Sequence, residues 1–470
     1  MLRSQKLLFD QLTPITIFAK LQEYFKGELS FLLESAINNS EGNFSFLFIG
    51  ARERIVYQNE QTFYTDEMGQ TLEIDKNPFH FLKKRYASLD KEAYKKQASD
   101  LGVGFIDGFI GYIGYDAVKV FEPRLKSHMD NLKDDIHIPD LDLMHPKLVC
   151  TFSHKSNSLT LHTFIDEIAQ QMDSIVSYLR EPHIHLPIKT SQIDKTKGSF
   201  AFSKAKFFEM VEASKEMIRS GDVFQILMSN RFTQFASIDR LSFYRILRNK
   251  NPSPYMFFLS YKDFAIIGSS PEVMIGLKDG HIILRPIAGT RKRGSTYEKD
   301  QAYEMELLCD EKERAEHLML IDLGRNDLGR VAKVGSVKVK DMMRVERYSH
   351  VMHLVSDIGA VLDDKYDMFD LFAATFTAGT MTGTPKIRAM ELISDFEGIK
   401  RSFYSGAVGY FGFDGNMDSG IIIRTAYLDD EKIIFQAGAG IVADSKPELE
   451  YLEVTNKLGA MTSSLDDLKE

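Results

Sequence analysis

The chain has 470 residues, of which 44% are hydrophobic and 27% charged, which is typical of globular proteins and excludes a disordered or fibrous chain. Its 67 acidic residues exceed its 58 basic residues, and the resulting net charge of -9 argues against a general nucleic-acid binder. No apolar run approaches a membrane span, no signal-peptide core is visible, and two cysteines cannot form a disulfide framework, so we expect a cytoplasmic protein without membrane association.

Three segments of the N-terminal part have recognisable local patterns. Residues 44–50 and 148–154 are rich in aromatic and β-branched side chains and predict two β-strands. The glycine-rich residues 105–116 predict bends or close packing of backbone against backbone. Further along the chain, strand and helix patterns alternate to the end, which favours an α/β or α+β protein with large sheets.

A polar stretch with two prolines interrupts these patterns before the middle of the chain. We predict a linker at 186–198 that joins an N-terminal region, 1–185, to a C-terminal region, 199–470. The length agrees with two or three domains or with one large fold. The C-terminal region begins with a predicted helix, for which Ser203 is a suitable N-cap and Gly221 a stop.

Two further segments of the C-terminal region have informative patterns. Residues 223–232 predict a strand, and the alternation of side chains puts four of them on one face. These are Val223, Gln225, Leu227 and Ser229. Residues 378–393 predict a Gly/Thr-rich loop that opens a helix, where backbone N–H groups favour an anion. The Walker A pattern is absent, so a nucleoside triphosphate is not indicated.

Acidic residues are paired at helical spacing in two distant segments. Glu313 and Glu316 lie three residues apart, and Glu450 and Glu453 repeat this spacing near the C-terminus, so each pair projects from one helical face. Four carboxylates in two such pairs could surround a hard cation, for which Mg²⁺ is the natural choice. The more common explanation of this spacing is a solvated helix face, and the pattern alone leaves both open.

Two polar residues stand within apolar segments. Arg424 follows a strand-like apolar run, where a charge lies at a strand end or is committed to an anion. His353 is also surrounded by apolar neighbours, and by itself it is more simply a structural histidine. The residues alone therefore indicate an α/β enzyme that handles a small carboxylate, with Mg²⁺ as its metal.

The same segments, in this order, resemble the chorismate-utilising enzymes, and among them the anthranilate synthase component I branch. The matching strings are GDVFQILMS, GSSPE, RPIAGTR, ERAEHLMLIDLGRNDLGRV, YSHVMHLVS, TFTAGTMTGTPKIRAMELI, YSGAVGYFG, IIIRTA and QAGAGIVADSKPELEYLEVTNK. They cover nearly all of residues 221–460, whereas the N-terminal third matches only through SFLLES and GFIGYIGYD. The resemblance implies an α+β fold with interwoven large β-sheets flanked by helices, and a catalytic, chorismate-binding region at 199–470.

The resemblance also implies roles for individual residues. Glu316 and Glu453 match direct Mg²⁺ ligands, with Glu313 and Glu450 acting at the metal directly or through water. Glu272 of GSSPE matches the general acid that protonates the departing hydroxyl of chorismate, which requires a shielded carboxyl. His353 matches the histidine near the ring during the loss of pyruvate. The residues that match substrate contacts are Gly289, Thr290, Tyr404, Arg424, Gly438, Gly440 and Lys457.

Two positions separate the branches of the family. Isochorismate and salicylate synthases carry a water-activating lysine where this chain has Gln225, so the resemblance favours ammonia as the nucleophile. Aminodeoxychorismate synthases often carry an active-site lysine where this chain has Ala288. The implied reaction is amination of chorismate at C2 with loss of the C4 hydroxyl, followed by elimination of pyruvate to give anthranilate. Aminodeoxychorismate synthase component I, an isochorismate or salicylate synthase, and a regulator without activity remain alternatives.

The resemblance implies two further binding partners. The family takes ammonia from a glutamine amidotransferase subunit, and no Cys-His-Glu triad of that subunit is present, so we expect the partner on a separate chain. SFLLES and NPSPYM resemble the segments at which tryptophan inhibits anthranilate synthases, which places a regulatory site in the N-terminal region. Its expected residues are Leu33, Glu34, Ser35, Pro254, Tyr255 and Met256. Ordinary core packing of the two segments is the alternative.

Overall fold

The structure is a computed structural model that describes residues 1–35, 44–182, 186–348 and 351–469. The strands in these ranges are β1 (Arg3–Leu8), β2 (Ser30–Glu34), β3 (Phe44–Gln58), β4 (Gln61–Thr65), β5 (Thr71–Glu73), β6 (Gly108–Ile113), β7 (Leu141–Ser153), β8 (Ser158–Thr163), β9 (Gly198–Phe200), β10 (Gln225–Phe235), β11 (Tyr255–Ser260), β12 (Ala265–Ser270), β13 (Val273–Lys278), β14 (His281–Leu284), β15 (Ile287–Lys292), β16 (Lys338–Arg347), β17 (Val351–Val361), β18 (Gly383–Thr384), β19 (Ala407–Gly412), β20 (Met417–Ile421), β21 (Thr425–Leu428) and β22 (Lys432–Ile441). The helices are α1 (Pro14–Tyr24), α2 (Pro78–Ala87), α3 (Lys91–Leu101), α4 (Lys126–Met129), α5 (Asp166–Arg180), α6 (Lys204–Arg219), α7 (Arg240–Lys250), α8 (Tyr297–Cys309), α9 (Glu311–Gly329), α10 (Met368–Thr375), α11 (Lys386–Glu397) and α12 (Pro447–Asp466).

The strands form two antiparallel arms that join at the long strands β3 and β7, which pair with each other. From β3, one arm runs through β2, β11, β12, β21 and β22 to β10. From β7, the other arm runs through β6, β19, β20, β13 and β14 to β17, which also pairs with β15 and β16. The expected α+β fold, with interwoven large sheets flanked by helices, is confirmed.

The N-terminal third of the chain is woven into both arms. Strand β2 lies between β3 and β11, and β6 pairs with β19, so early and late parts of the chain share hydrogen-bonded ladders. Two large hydrophobic cores each contain residues from both parts, such as Phe48 with Phe403 in one and Phe18 with Phe258 in the other. The linker at 186–198 therefore separates two segments that pack together, and its role as a domain boundary stays a prediction.

Several local predictions are confirmed. Ser203 caps α6 through a hydrogen bond from the backbone N–H of Lys206, and Gly221 follows the helix end with φ of +83°. The segment 105–116 contains β6, in which a Cβ at Gly111 would lie 2.0 Å from the carbonyl oxygen of Asp142. This is the close backbone packing expected of the segment.

One predicted strand differs from the structure in its extent, and one long helix contains a glycine. The strand expected at 223–232 begins at Gln225 and continues to Phe235. Helix α9 runs without interruption from Glu311 through Gly324 to Gly329. A Cβ at Gly324 would lie 2.7 Å from Leu284 and 2.9 Å from Ile358, so this glycine lets the helix pack closely on the sheet.

Candidate active site

Helices α9 and α12 carry the four paired acids. The side chain of Asp310 caps α9 by accepting from the backbone N–H of Glu313, which fixes where the helix begins. Helix α12 buries a stripe at helical spacing in the second core, where each side chain of this size contributes roughly 1.5–3 kcal/mol. The stripe consists of Val454, Leu458, Met461 and Leu465. Glu450 and Glu453 are left outside this core.

The acids of the two helices influence each other. Burial raises the pKa of Glu316, and the charges of Glu313 and Glu453 raise it further. Burial also raises the pKa of Glu450, and the charge of Glu453 again adds to the effect. Glu316 lies on α9 and Glu453 on α12. Because the charge of Glu453 raises the pKa of Glu316, the two pairs lie near one another. The helical spacing places each pair on one face of its helix, and the packing of α9 and α12 brings the two pairs into one region.

Two basic side chains already form ion pairs with these carboxylates. Lys457 lies 2.7 Å from Glu453, and Arg291 lies 3.3 Å from Glu313. Among the described residues, no three His, Cys, Asp or Glu side chains are arranged to hold a metal ion. The donor chemistry nevertheless fits Mg²⁺, since all four groups are hard oxygen donors and their mutual repulsion raises two of their pKa values. The ligand set stays a prediction.

Glu272 lies between β12 and β13 and is 8% exposed. The hydroxyl of Thr380 donates to its Oε1 at 2.9 Å. Burial raises the pKa of Glu272 to about 7, although the Thr380 hydrogen bond and the charges of Arg424 and Lys457 act in the opposite direction. With its pKa raised toward neutrality, the carboxyl keeps its proton to a higher pH than an ordinary glutamate does, which a general acid requires.

His353 lies on β17 with its ring fixed on one side. Its Nδ1 lies 3.0 Å from the carbonyl oxygen of Gly289 and 3.1 Å from the hydroxyl of Thr290. Because a carbonyl oxygen only accepts, this contact assigns the proton to Nδ1 and leaves a lone pair on Nε2. Burial lowers the pKa of His353 to about 4, so the ring is neutral at physiological pH.

Arg424 and Lys457 join these groups into one site. The charge of each influences the pKa of both Glu272 and His353. The side chain of Arg424 is open to solvent, yet the surrounding protein partly desolvates it and lowers its pKa. Within the described ranges, its guanidinium has no hydrogen-bond or ion-pair partner. A free guanidinium beside a protonated acid and a neutral base is suited to hold a substrate carboxylate.

Strands β10 and β22 bring the predicted glycines against other candidate site residues. A Cβ at Gly440 would lie 2.5 Å from Nε2 of Gln225, and this amide donates to Glu316 at 2.9 Å. A Cβ at Gly438 would lie 3.1 Å from the hydroxyl of Tyr404, and the carbonyl of Gly438 accepts from Lys457 at 2.9 Å. Small residues are thus needed where backbone borders the site.

Gly289 serves the site through its backbone conformation. Its φ of +61° is unfavourable for other residues, and a Cβ there would lie 3.1 Å from the carboxylate of Glu313. Its carbonyl oxygen is the partner of His353. This glycine therefore contacts the histidine and leaves room for Glu313 of α9.

Two cavities lie beside these groups. A small one, of about 40 Å³, borders Glu272 and Thr380 together with Arg285 and Asp327. A larger one, of about 740 Å³, does not reach Glu272, His353 or Arg424. Its walls come from α9, the start of α11 and Phe224, which directly precedes Gln225. The small cavity and the open region around Arg424 adjoin the candidate site residues, while the large cavity is a neighbouring surface.

The segments expected to bind tryptophan lie side by side. Glu34 on β2 is opposite Met256 on β11, and Leu33 is opposite Phe257. The carboxylate of Glu34 is buried and accepts from Tyr244 at 2.5 Å and from Arg248 at 2.6 Å. Tyr255 donates to Asp418 at 2.9 Å. Ser35 and Pro254 are half-buried beside these strands.

Sequence patterns did not indicate three groups that contact the predicted residues. Thr380 lies within a glycine-rich loop, and nothing in the string marks its hydroxyl as the partner of Glu272. Tyr348 packs its ring edge-on to His353 at 5.6 Å and donates to Glu346 at 3.0 Å. Glu346 had no assigned role, but it is opposite His353 in the β16–β17 ladder.

The family of chorismate binding enzymes matches residues 29–463, and the chain belongs to this family. It is therefore an enzyme of the chorismate-utilising class, as the motifs predicted. It is 41% identical to anthranilate synthase component 1 of Aquifex aeolicus (strain VF5), over 99% of this chain and 94% of that protein. It is 42% identical to the protein of the same name from Acinetobacter calcoaceticus, over 98% of this chain and 94% of the relative.

Solved structures agree with this assignment. Anthranilate synthase component I from Streptococcus pneumoniae TIGR4 superposes with a TM-score of 0.78 at 33% identity, covering 91% of this chain and 93% of that one. The menaquinone-specific isochorismate synthase of Escherichia coli superposes with a TM-score of 0.73 at 18% identity, covering 99% and 95%, and shows the common fold alone. In the described part of the chain, every helix is too short or too polar to cross a membrane.

Proposed function

We propose that this chain is component I of an anthranilate synthase, which converts chorismate and ammonia to anthranilate in the first step of tryptophan synthesis. The observation that carries the proposal is one site in which Glu272 keeps a proton near neutral pH, His353 stays neutral, and Arg424 is free to bind a carboxylate. Similarity over nearly the whole length to two proteins named anthranilate synthase component 1 supports it.

In the proposed first half-reaction, ammonia attacks C2 of chorismate and the ring double bonds shift. The C4 hydroxyl then leaves as water, taking its proton from Glu272. Gln225 cannot act as a base toward water, because an amide has no basic lone pair at this pH. A nucleophile that needs no activation, such as ammonia, is therefore favoured over water at this position.

In the proposed second half-reaction, the ring loses its C2 proton and the enolpyruvyl group. Nε2 of His353 accepts the proton, the bond from C3 to oxygen breaks, and the released enolate gains a proton to become pyruvate. Arg424 and Tyr404 would hold the enolpyruvyl carboxylate during both steps. We assign the remaining substrate contacts to Gly289, Thr290, Gly438, Gly440 and Lys457, as the family resemblance implies.

Glu313, Glu316, Glu450 and Glu453 would hold Mg²⁺ directly or through water. When bound, the metal would hold the ring carboxylate of the substrate and neutralise charge during the reaction. The ion pair of Glu453 with Lys457 would have to open for this, and Lys457 would then be free to turn toward the substrate.

The test of the activity is direct. The purified chain is incubated with chorismate, Mg²⁺ and ammonium at slightly alkaline pH, and anthranilate is followed by its fluorescence. We expect fluorescence that needs both Mg²⁺ and ammonium and falls by a factor of about 100 to 10,000 in Glu272→Gln, the usual contribution of a general acid. Mass spectrometry identifies the product, because an aminated ring that retains its enolpyruvyl group would instead indicate aminodeoxychorismate synthesis.

The proposed source of ammonia is a glutamine amidotransferase subunit on a separate chain. Glutamine should replace ammonium in the assay only after this subunit is added. A complex of both chains should elute from size exclusion ahead of the 53.6 kDa chain. Elution of this chain at its own mass in the presence of the subunit would contradict the proposal.

We also propose that tryptophan inhibits this enzyme at the β2–β11 region. The pairing of Glu34 with Met256 across the β2–β11 ladder supports this site. Ser35 and Pro254 lie half-buried beside it, and Tyr255 adds a hydroxyl group. None of these five residues has a role in the reaction proposed above. A cytoplasmic location, expected from the sequence, remains part of this proposal.

A further inference from the structure

Thr380 and Glu272 form a contact that the reaction proposed above does not use. The hydroxyl of Thr380 lies 2.9 Å from Oε1 of Glu272, and among the described residues Glu272 is its partner. The residues are 108 positions apart in the chain, so only the tertiary fold brings them together. Both border the small cavity beside the site.

The loop that carries Thr380 is fixed on both sides. Residues Gly379–Met381 form one turn of 3₁₀-helix, and the carbonyl of Met381 accepts from Nη1 of the buried Arg401 at 2.8 Å. The carbonyl of Thr382 accepts from the backbone N–H of Leu227 at 2.8 Å. At the other end, a Cβ at Gly379 would lie 2.0 Å from Leu323, so the turn is pressed onto α9.

Among the described residues, Thr380 alone makes a hydrogen bond to the Glu272 carboxyl, and Oε2 has no such partner. Arg424 and Lys457 act on Glu272 through charge. Arg285 and Asp327 share its cavity, but Arg285 donates to Asp357 at 2.8 Å and Asp327 accepts from Lys386 at 2.5 Å. The Thr380 hydroxyl is thus the neutral donor that orients this carboxyl.

We propose that Thr380 is a positioning residue that decides which oxygen of Glu272 carries the transferable proton. By donating to Oε1, its hydroxyl makes Oε1 the accepting oxygen and leaves the proton on Oε2, where the departing hydroxyl of the substrate collects it. This inference rests on the proposed role of Glu272 as general acid. It adds a residue to the proton transfer without changing the reaction.

The test compares three variants. Thr380→Val keeps the shape of the side chain and removes the donor, whereas Thr380→Ser keeps the donor and removes the methyl group. Thr382→Val removes a hydroxyl from the same loop that bonds the carbonyl of Ala378 rather than Glu272. Far-UV circular dichroism checks that each variant is folded. Thr380→Ser distinguishes the effect of losing the hydrogen-bond donor from the effect of altered packing.

The first measurement does not depend on turnover. Infrared difference spectra against Glu272→Gln give the pH at which this carboxyl titrates. We expect Thr380→Val to raise the measured pKa by about one unit, because a hydrogen bond to the charged form is lost, and Thr380→Ser and Thr382→Val to leave it unchanged. An unchanged or lowered pKa in Thr380→Val would overturn the inference, since a lowered value would mean that the hydroxyl accepts the proton instead.

The second measurement is the pH profile of anthranilate formation. Thr380→Val should lower kcat about tenfold and move the descending limb to higher pH, with Thr380→Ser restoring both. A loss of rate without movement of the limb would indicate a structural role and refute the inference. If the wild-type chain makes no anthranilate but the infrared shift appears, the proposed function fails and the Thr380–Glu272 assignment stands.

Discussion

Replacing Arg401 by methionine would leave the carboxylate of Glu397 buried without its counter-charge. Both side chains are about 1% exposed, and Nε and Nη2 of Arg401 donate to the two carboxylate oxygens at 2.9 and 2.7 Å. The same guanidinium donates to the carbonyls of Met381 and Leu227, each at 2.8 Å. Because methionine keeps much of the side-chain volume, the change removes charge and hydrogen bonds more than packing.

The magnitude follows from what remains after the substitution. Removing one partner of a buried pair usually costs about 3–5 kcal/mol. Oε1 of Glu397 keeps two hydrogen bonds, from the backbone N–H of Ser229 at 2.9 Å and from its hydroxyl at 2.8 Å. These partly stabilise the carboxylate, so we expect Arg401→Met to lower the free energy of unfolding by about 3 kcal/mol. Urea unfolding followed by far-UV circular dichroism measures this in a chain without tryptophan.

Two controls make the result interpretable. Arg325→Met breaks a pair with Asp322 whose side chains are 55% and 70% exposed, and this should cost less than about 1 kcal/mol. Adding Glu397→Gln to Arg401→Met removes the orphaned charge and should recover part of the loss. If Arg401→Met cost no more than the surface control, the view that this pair holds β10, the Gly379–Met381 turn and α11 together would be wrong.

The remaining predictions concern activity and regulation. At a constant concentration of free ammonia, the rate of anthranilate formation should fall above about pH 7, where Glu272 loses its proton, and below about pH 4, where His353 gains one. If the fall above about pH 7 persisted in Glu272→Gln, the assignment of this limb to Glu272 would be wrong. Gln225→Lys should lower amination at least about tenfold, because an ammonium replaces the amide that bonds Glu316, and mass spectrometry shows whether a hydroxylated product appears in its place. Ser35→Arg should abolish inhibition by tryptophan and leave kcat unchanged; inhibition equal to that of the wild type would exclude the proposed regulatory site.

The sequence allowed the acidic helices to be predicted because helical spacing is a local property. Glu313 and Glu316 share a face whatever the rest of the chain does, and the same holds for Glu450 and Glu453. That the two pairs approach each other depends on how α9 and α12 pack on different strands. No local pattern encodes that, and the family resemblance supplied it.

Contacts between distant segments could not be predicted from one chain. The bond from Thr380 to Glu272 spans 108 positions, and nothing near either residue indicates the other. Gly221 ends a helix as predicted, whereas Gly324 lies inside α9, where its missing side chain allows the contact with Leu284 and Ile358. Local patterns describe single elements well, whereas packing decides which glycine ends a helix and which one allows it to continue.

The weaving of early strands into late ones has a consequence for biosynthesis. Gly111 on β6 has Gly409 on β19 as its partner, nearly 300 positions further along the chain. At about 5–20 residues per second, the ribosome needs about 15 to 60 seconds to add that stretch. During this time β6 can pair with β7, but its other edge, which pairs with β19 in the finished fold, stays uncovered. We therefore expect a slow-folding chain that depends on chaperones while it is made, and a fragment ending near residue 185 that aggregates rather than folds.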